Sequence, residues 1–158
     1  MALEVGSKAP DFTLTLVDTA GDERRVALKD FAGRTLVLYF YPKDDTSGCT
    51  AEACQFRDSL PDFSSLSVDI IGVSRDSAKS HAKFISKYDL NFPLGSDETG
   101  TVTEAYGVWV EKSMYGRKYM GIERTTVLID GTGIVRQIWS KVKVPGHAAA
   151  VLSAIKNL

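Results

Sequence analysis

Residues 36–60 have the sequence LVLYFYPKDDTSGCTAEACQFRDSL, in which a continuous apolar and aromatic run gives way to a helical pattern. The first part, Leu36–Tyr41, is typical of a central strand that is covered on both faces. Apolar residues then recur at spacings of four, three and four, which predicts one face of a helix. These residues are Cys49, Ala53, Phe56 and Leu60. The stretch therefore predicts a strand that leads into a helix, with a cysteine at the junction.

Strand signals lie on both sides of this stretch. The segments are Phe12–Leu16, Arg24–Leu28, Val68–Ser74, Thr125–Ile129 and Ile134–Trp139. The first two flank a polar turn around Asp18–Asp22, and the last two flank the turn Asp130–Gly133. Each of these pairs predicts a hairpin. Val68–Ser74 is a second apolar run of the central-strand type.

Helical patterns separate the strands, at Ala78–Tyr88, Thr101–Tyr106 and Ala148–Leu158. Strands that alternate with helices and end in a hairpin predict a mixed central β-sheet flanked by helices on both faces. This is a thioredoxin-like α/β architecture with an N-terminal β-hairpin. Because no repeat or linker divides the chain, we expect residues 1–158 to form one domain.

The composition excludes several classes of function. It is 44% hydrophobic and 25% charged, as in an ordinary soluble globular protein. The formal charge of −1 provides no net field that would attract nucleic acid or an anionic membrane. The start MALEVGSKAPDF lacks the regions of a signal peptide, and no apolar run approaches the roughly 20 residues that span a bilayer. We therefore expect a cytoplasmic protein without a nucleic-acid or membrane partner.

Cys49 combines several features of a nucleophile. At the start of a helix, unpaired backbone N–H groups and the positive end of the dipole favour the thiolate over the thiol. Gly48 lets the backbone bend and lets a small substrate approach, and Thr46 offers a hydroxyl that can accept or donate a hydrogen bond. Pro42 follows the strand and, having no N–H, helps close the site to water. The segment predicts a sulfur that attacks a small electrophile.

Cys54 is the second of only two cysteines, and in a reducing compartment a close pair is more often redox-active than structural. Five residues on a regular helix advance the chain about 7.5 Å and rotate it about 140°. A disulfide needs Cα atoms within roughly 7 Å and converging Cβ vectors. Cys49 and Cys54 therefore cannot bond unless the first helical turns unwind.

These residues and their neighbours can also be interpreted as structural residues without a chemical role. Either cysteine could be a small buried apolar residue. A zinc site would need His81 and His147, which lack paired-ligand spacing, and we interpret each as a surface or cap histidine. Asp44 and Asp45 could suggest a metal, but beside a turn we expect them to be solvated or to cap a helix.

The pattern Pro42-x-x-x-Thr46-x-x-Cys49 resembles the P-x-x-x-T/S-x-x-C active-site motif of the peroxiredoxins. The longer YFYPKDDTSGCTAEACQFRD resembles the bacterioferritin comigratory protein, or PrxQ, subfamily, in which a second cysteine lies five residues further on. One departure is Ser47, where many members carry proline. Other stretches similar to the family are Gly6–Phe12, Gly72–Asp76, Phe92–Asp97, Met114–Gly116, Gly121–Asp130 and Gly146-His147.

The resemblance implies a role for each cysteine. Cys49 would be the peroxidatic cysteine, which attacks hydrogen peroxide or a small organic hydroperoxide and becomes a sulfenic acid. Cys54 would be the resolving cysteine, which condenses with it to an intramolecular disulfide. A thioredoxin-like dithiol would restore both thiols, and no metal or organic cofactor is required. With no third cysteine to suggest an intermolecular disulfide, we expect a monomer.

The resemblance also implies how other residues assist. Arg124 would donate hydrogen bonds to the peroxide and the thiolate, and its permanent cation stabilises charge on the leaving oxygen. Thr46, with the backbone N–H of Cys49, would orient the peroxide, and Pro42 would shield it. Glu52 could hold Arg124 in place or be a carboxylate on the helix surface.

Two other functions stay open beside the peroxidase. A general thiol–disulfide oxidoreductase is disfavoured, because the C-x₄-C spacing must unwind a helix to cycle and leaves Arg124 unused. A holdase-type binding protein without catalysis is disfavoured by the intact motif. Four large side chains before Arg124 could wall the site, but we expect them to pack in the core. They are Trp109, Met114, Tyr115 and Tyr119.

Overall fold

The computed structural model describes residues 3–158 and contains alternating strands and helices. In chain order these are β1 (Thr13–Val17), β2 (Glu23–Ala27), a short 3-10 helix (Leu28–Phe31), β3 (Thr35–Phe40), α1 (Ser47–Ser65), β4 (Val68–Ser74), α2 (Ala78–Tyr88), β5 (Leu94–Ser96), α3 (Thr101–Ala105), β6 (Trp109–Met114), β7 (Arg117–Ile122), β8 (Thr125–Ile129), β9 (Val135–Trp139) and α4 (His147–Lys156).

Within residues 3–158, seven strands form a mixed sheet in the order β2-β1-β5-β4-β3-β8-β9. Strand β3 lies near its centre, parallel to β4 and antiparallel to β8. Its residues Leu36–Phe40 are at most 1% exposed, as the apolar run predicted. Both predicted hairpins, β1–β2 and β8–β9, are present and antiparallel. The predicted mixed α/β sheet is therefore confirmed.

The alternation of side chains along β3 divides the core into two layers. Val37 and Tyr39 face the layer under α1, α2 and α4, whereas Leu38 and Phe40 face the layer under α3. Helix α1 therefore lies on one face of the sheet and directs its buried residues, Cys49 among them, toward Tyr39. No helix among residues 3–158 has the length and apolar character needed to cross a membrane.

Helix α1 continues to Ser65, five residues past the predicted apolar stripe, and contains Pro61. A proline inside a helix leaves the carbonyl four residues earlier without its N–H donor. That carbonyl belongs to Arg57, and the side-chain amide of Asn91 donates to it at 3.0 Å. A residue from a distant loop thus replaces the lost hydrogen bond, which the local sequence pattern cannot show.

The hairpin β6–β7 forms a separate two-stranded sheet that the sequence patterns did not predict. The expectation that its large side chains pack in the core is wrong for three of them. Met114, Tyr115 and Tyr119 are 56%, 99% and 43% exposed. Trp109 is half-buried, and the Arg75 guanidinium stacks 3.4 Å from its ring centroid.

Candidate active site

Cys49 occupies the third position of α1, where backbone N–H groups have no partner within the helix. Its side chain is nearly enclosed, with 1% of the residue exposed. The Arg124 guanidinium donates through Nη2 to Cys49 Sγ at 3.3 Å. The sulfur is thus buried yet in contact with a permanent cation.

Arg124 lies between β7 and β8, 75 residues from Cys49 in the sequence. It reaches the sulfur because β8 pairs with β3 in a register that places Thr125 opposite Phe40. Tyr41, which follows Phe40 at the end of β3, begins the loop that leads to α1. Sheet pairing therefore brings the guanidinium and the helix start together.

Glu52 fixes the other side of the guanidinium. It lies one turn after Cys49 on the same helix face, and Arg124 Nη1 donates to its Oε1 at 2.7 Å. Only 1% of the Glu52 side chain and 16% of the Arg124 side chain are exposed. Of the two interpretations of Glu52, the buried partner of Arg124 is correct and the surface carboxylate is wrong.

The ion pair between Glu52 and Arg124 is largely buried. Burial raises the pKa of Glu52 to about 7, although the Arg124 charge acts in the opposite direction. Glu52 Oε2 and the Tyr39 hydroxyl have no hydrogen-bond partner among the described residues. Burial, and then the charges of Glu52 and Cys49, raise the pKa of Tyr39 well above its ordinary value. Charges at this site are consequently little screened by water.

Gly48 packs closely against Arg124. A Cβ atom at this position would lie 3.0 Å from Arg124 Nη2, tighter than most such contacts. The missing side chain thus makes room for the guanidinium.

Thr46 and Pro42 are both exposed and lie on the loop that enters α1. Thr46 is the N-cap residue of α1, but its hydroxyl donates to the Lys43 carbonyl at 2.9 Å instead of accepting from the helix. Its oxygen therefore keeps lone pairs free for another donor. Pro42 lies at the end of β3, where its exposed ring borders the loop.

Cys54 lies on the same unbroken helix as Cys49, and both thiols are free. Cys54 is half-buried, whereas Cys49 is enclosed. Because residues five apart on a helix point about 140° away from each other, the two sulfurs cannot join in this conformation.

Three residues interpreted as surface, solvated or capping groups are buried, so their interpretation as surface or solvated groups is wrong. His81 is 0% exposed, His147 5% and Asp44 8%. His147 contacts the Thr126 hydroxyl at 2.7 Å, and burial, then the Arg124 charge, lower its pKa to about 4. His81 and Asp44 contact each other at 2.8 Å. Asp45, in contrast, is exposed as expected.

Lys112, on β6, is a site neighbour that the sequence analysis did not identify. Burial, and then the Arg124 charge, lower its pKa. The hairpin β6–β7 therefore extends a cation toward the Cys49 region. Nothing in the polar sequence around Lys112 indicated this placement.

Comparison with known proteins agrees with this geometry. The model of the AhpC/TSA family matches residues 5–138, and the chain belongs to this family. The chain is 50% identical to the putative peroxiredoxin bcp of Coxiella burnetii, covering 98% of this chain and 100% of that one. It is 48% identical to peroxiredoxin Bcp of Bacillus subtilis, covering 100% and 98%.

Solved structures give the same result. Peroxiredoxin Q of Xanthomonas campestris is 46% identical, with a TM-score of 0.86 and coverage of 92% of this chain and 90% of that one. A PrxQ mutant of Xylella fastidiosa is 38% identical, with a TM-score of 0.91 and coverage of 99% and 98%. The resemblance to Bcp, or PrxQ, peroxiredoxins is therefore confirmed, and the protein is an enzyme of the thiol peroxidase class.

Proposed function

We propose that the protein reduces hydrogen peroxide and small organic hydroperoxides through Cys49. The observation that carries this proposal is the 3.3 Å contact between Arg124 Nη2 and Cys49 Sγ at the start of α1. A cation held at a helix N-terminus stabilises both the attacking thiolate and the charge that develops on the leaving oxygen.

The first step exchanges one bond for another. The Cys49 thiolate attacks the terminal oxygen of ROOH, the S–O bond forms as the O–O bond breaks, and RO⁻ leaves and takes up a proton. Sulfur is oxidised to the sulfenic acid and the peroxide is reduced to ROH. Because Cys49 is 1% exposed, this route favours small hydroperoxides.

Thr46 and Pro42 have supporting roles in the proposal. The Thr46 hydroxyl already donates to Lys43, so its oxygen is oriented to accept the O–H of a peroxide. The Cys49 backbone N–H, at a helix start, is available as a donor to the peroxide oxygen. Pro42 borders the same loop and adds no competing N–H.

In the second step the Cys54 thiol attacks the sulfenic sulfur and releases water, which leaves an intramolecular disulfide. The first turns of α1 must unwind, since both residues lie on one intact helix. A thioredoxin-type dithiol then reduces the disulfide. A Xanthomonas campestris bacterioferritin comigratory protein, 46% identical to this chain, is described as having alkyl peroxide reduction activity, which supports organic hydroperoxides as substrates. We place the enzyme in the cytoplasm as a monomer.

One mass measurement tests this function. About one equivalent of hydrogen peroxide should remove both thiols and lower the intact mass by about two hydrogens. Cys49→Ser should abolish the reaction, and Cys54→Ser should leave a sulfenic or overoxidised Cys49. Turnover with a thioredoxin system, compared between wild type and Cys49→Ser, tests the recycling step. Persistence of both thiols would refute the peroxidase, and rapid reduction of insulin disulfides would favour a general oxidoreductase.

A further inference from the structure

A buried polar cluster lies behind the loop Pro42–Thr46, and the reaction described above does not use it. Its centre is the contact between His81 Nδ1 and Asp44 Oδ2, at 2.8 Å. The side chains are 0% and 4% exposed. A buried pair of this kind gives weak net stability, because desolvation opposes the attraction, and its best-attested use is to specify one arrangement of the chain.

His81 is fully engaged by two acceptors. Its Nε2 donates to the Gly95 carbonyl at 3.0 Å, because a carbonyl oxygen can only accept a hydrogen bond. Its Nδ1 faces the Asp44 carboxylate, with Nδ1 and Oδ2 2.8 Å apart. The histidine, on α2, thereby connects β5 to the loop that precedes Cys49.

Asp44 has three further hydrogen-bond partners besides His81. Its carboxylate also accepts from the Tyr41 hydroxyl and from Ser80 Oγ, the latter at 2.7 Å. Its backbone N–H donates to Asp76 Oδ2 at 2.8 Å. The side-chain atoms of Asp44, Asp76 and His81 that could bind a metal ion lie within 4.8 Å of one another. Hydrogen bonds already engage each of these groups. The arrangement is that of a satisfied network and not of an open metal site.

The adjacent residue shows why the loop needs an anchor. Asp45 has a φ of +57°, a conformation that few non-glycine residues adopt. Its exposed carboxylate also contacts α2, through Lys87 at 2.7 Å. Two consecutive loop residues are thus tied to the same helix, one in the core and one at the surface.

We propose that Asp44 and His81 are a positioning pair that holds the loop Pro42–Thr46 against α2 and β5. The pair keeps Thr46 in place for the peroxide and stays fixed while the first turns of α1 unwind. This inference rests on the proposed peroxidase function, since it assigns the loop the task of orienting the substrate. A misplacement of about 1 Å in such a group can cost about 100-fold in rate.

Two isosteric variants separate the two contacts of His81. In His81→Asn the amide nitrogen replaces Nδ1 and can still donate to Asp44. In His81→Gln it replaces Nε2 and can still donate to Gly95, but the contact with Asp44 is lost. We expect His81→Gln to lower the second-order rate constant of Cys49 with hydrogen peroxide about 10- to 100-fold, and His81→Asn to stay within about threefold of wild type.

The rate of Cys49 alkylation distinguishes a positioning role of His81 from a general loosening of the fold. In a Cys54→Ser background, the rate at which iodoacetamide modifies Cys49, followed by intact mass, needs no bound peroxide. Positioning predicts that His81→Gln slows the peroxide reaction and leaves alkylation near the rate of its parent. A merely structural role predicts faster alkylation, because a loosened fold exposes the enclosed sulfur.

Two further variants keep the test decisive if His81→Gln does not fold. Ser80→Ala removes another donor to the same Asp44 oxygen and should slow the peroxide reaction about threefold. Lys87→Gln removes only the exposed contact with Asp45 and should change it less than about twofold.

Three results would overturn the pair's role. The first is a wild-type rate in His81→Gln or, where that variant does not fold, a wild-type rate in Ser80→Ala. The others are equal losses in His81→Gln and His81→Asn, and alkylation that accelerates as the peroxide reaction slows. Wild-type protein that leaves peroxide unchanged would instead overturn the peroxidase function itself, and this inference with it.

Discussion

Arg124 binds two partners with one planar group, donating to the sulfur of Cys49 and to the carboxylate of Glu52. A lysine at this position would keep the charge but could not present two nitrogens at fixed angles. The distinction matters because the catalytic effect of a donor depends on its direction toward the developing charge as well as on its charge.

Arg124→Lys should therefore behave more like a loss of the donor than like a conservative change. We expect the rate constant of the peroxide reaction to fall about 100-fold, measured by stopped-flow under single-turnover conditions. The matched control is Arg136→Lys, which changes an arginine in an exposed ion pair with Asp130. A fall of less than about threefold in Arg124→Lys would show that charge alone is sufficient.

Glu52 makes the stability of the fold depend on pH in an unusual direction for a carboxylate. Burial raises its pKa from 4.5 to about 7, so the folded state binds this proton more tightly than the unfolded state. The stabilising contribution is fully present below pH 4.5 and is lost as the pH rises through about 7. A shift of this size corresponds to at most about 3 kcal/mol.

Glu52→Gln removes this titration and should flatten the pH dependence. We expect the free energy of unfolding of the reduced wild type to fall between pH 5 and pH 8 by about 2 kcal/mol more than that of the variant. Urea denaturation at both pH values measures the difference, and because His147 titrates in both proteins its contribution cancels. Glu104→Gln, in an exposed pair with Arg75, is the control. Parallel pH profiles in Glu52→Gln and wild type would contradict the shift.

At the scale of elements, α1 has opposing requirements. An intact helix holds Cys49 and Glu52 on one face for the peroxide step, yet the same helix keeps Cys49 and Cys54 apart. The free energy of unwinding its first turns therefore enters the rate of disulfide formation, but not the rate of attack on peroxide.

Ala51→Gly tests this separation, because Ala51 is exposed in the first turns and loses no packing. Glycine destabilises a helix by about 1 kcal/mol relative to alanine, so unwinding should become about fivefold more favourable. We expect disulfide formation to accelerate by about this factor while sulfenic acid formation is unchanged. Ser64→Gly, exposed near the other end of α1, should change neither rate. Equal rates in all three proteins would place the slow step elsewhere.

The elements that the sequence predicted are those with long or strongly patterned segments. β4, α2 and β8 have the predicted bounds. The two strands are nearly continuous apolar runs, and α2 has a helical period. β5 has only three residues, too few for any period. β6 and β7 are largely exposed and polar, so no buried face marked them in the sequence.

The candidate site shows the same limit at the scale of the whole molecule. Cys49, Thr46 and Pro42 share one local segment, and their spacing identified them. The contact of Arg124 with Cys49 depends on the pairing of β3 with β8, and only the resemblance to peroxiredoxins suggested it. His81 gave no signal, because a single histidine on a helix is not informative until the chain has folded around it.

The fold as a whole should be less stable as the disulfide than as the dithiol. Unwinding the start of α1 exposes Cys49 and Ala53, which are each 1% exposed, and separates Glu52 from Arg124. Loss of a buried charged partner costs about 3–5 kcal/mol. The short loop that the disulfide closes returns only about 2 kcal/mol.

We therefore expect peroxide-treated protein to unfold at a Tm about 5–10 °C lower than reduced protein, measured by scanning calorimetry. The double variant Cys49→Ser with Cys54→Ser, treated identically, controls for other oxidation, methionine included, and should show no change. Hydrogen exchange should locate the loss of protection at the start of α1, while β3 and β4 stay protected. An equal or higher Tm in the oxidised protein would mean that α1 accommodates the disulfide without unwinding. That result would contradict the geometry of two cysteines five residues apart on one helix.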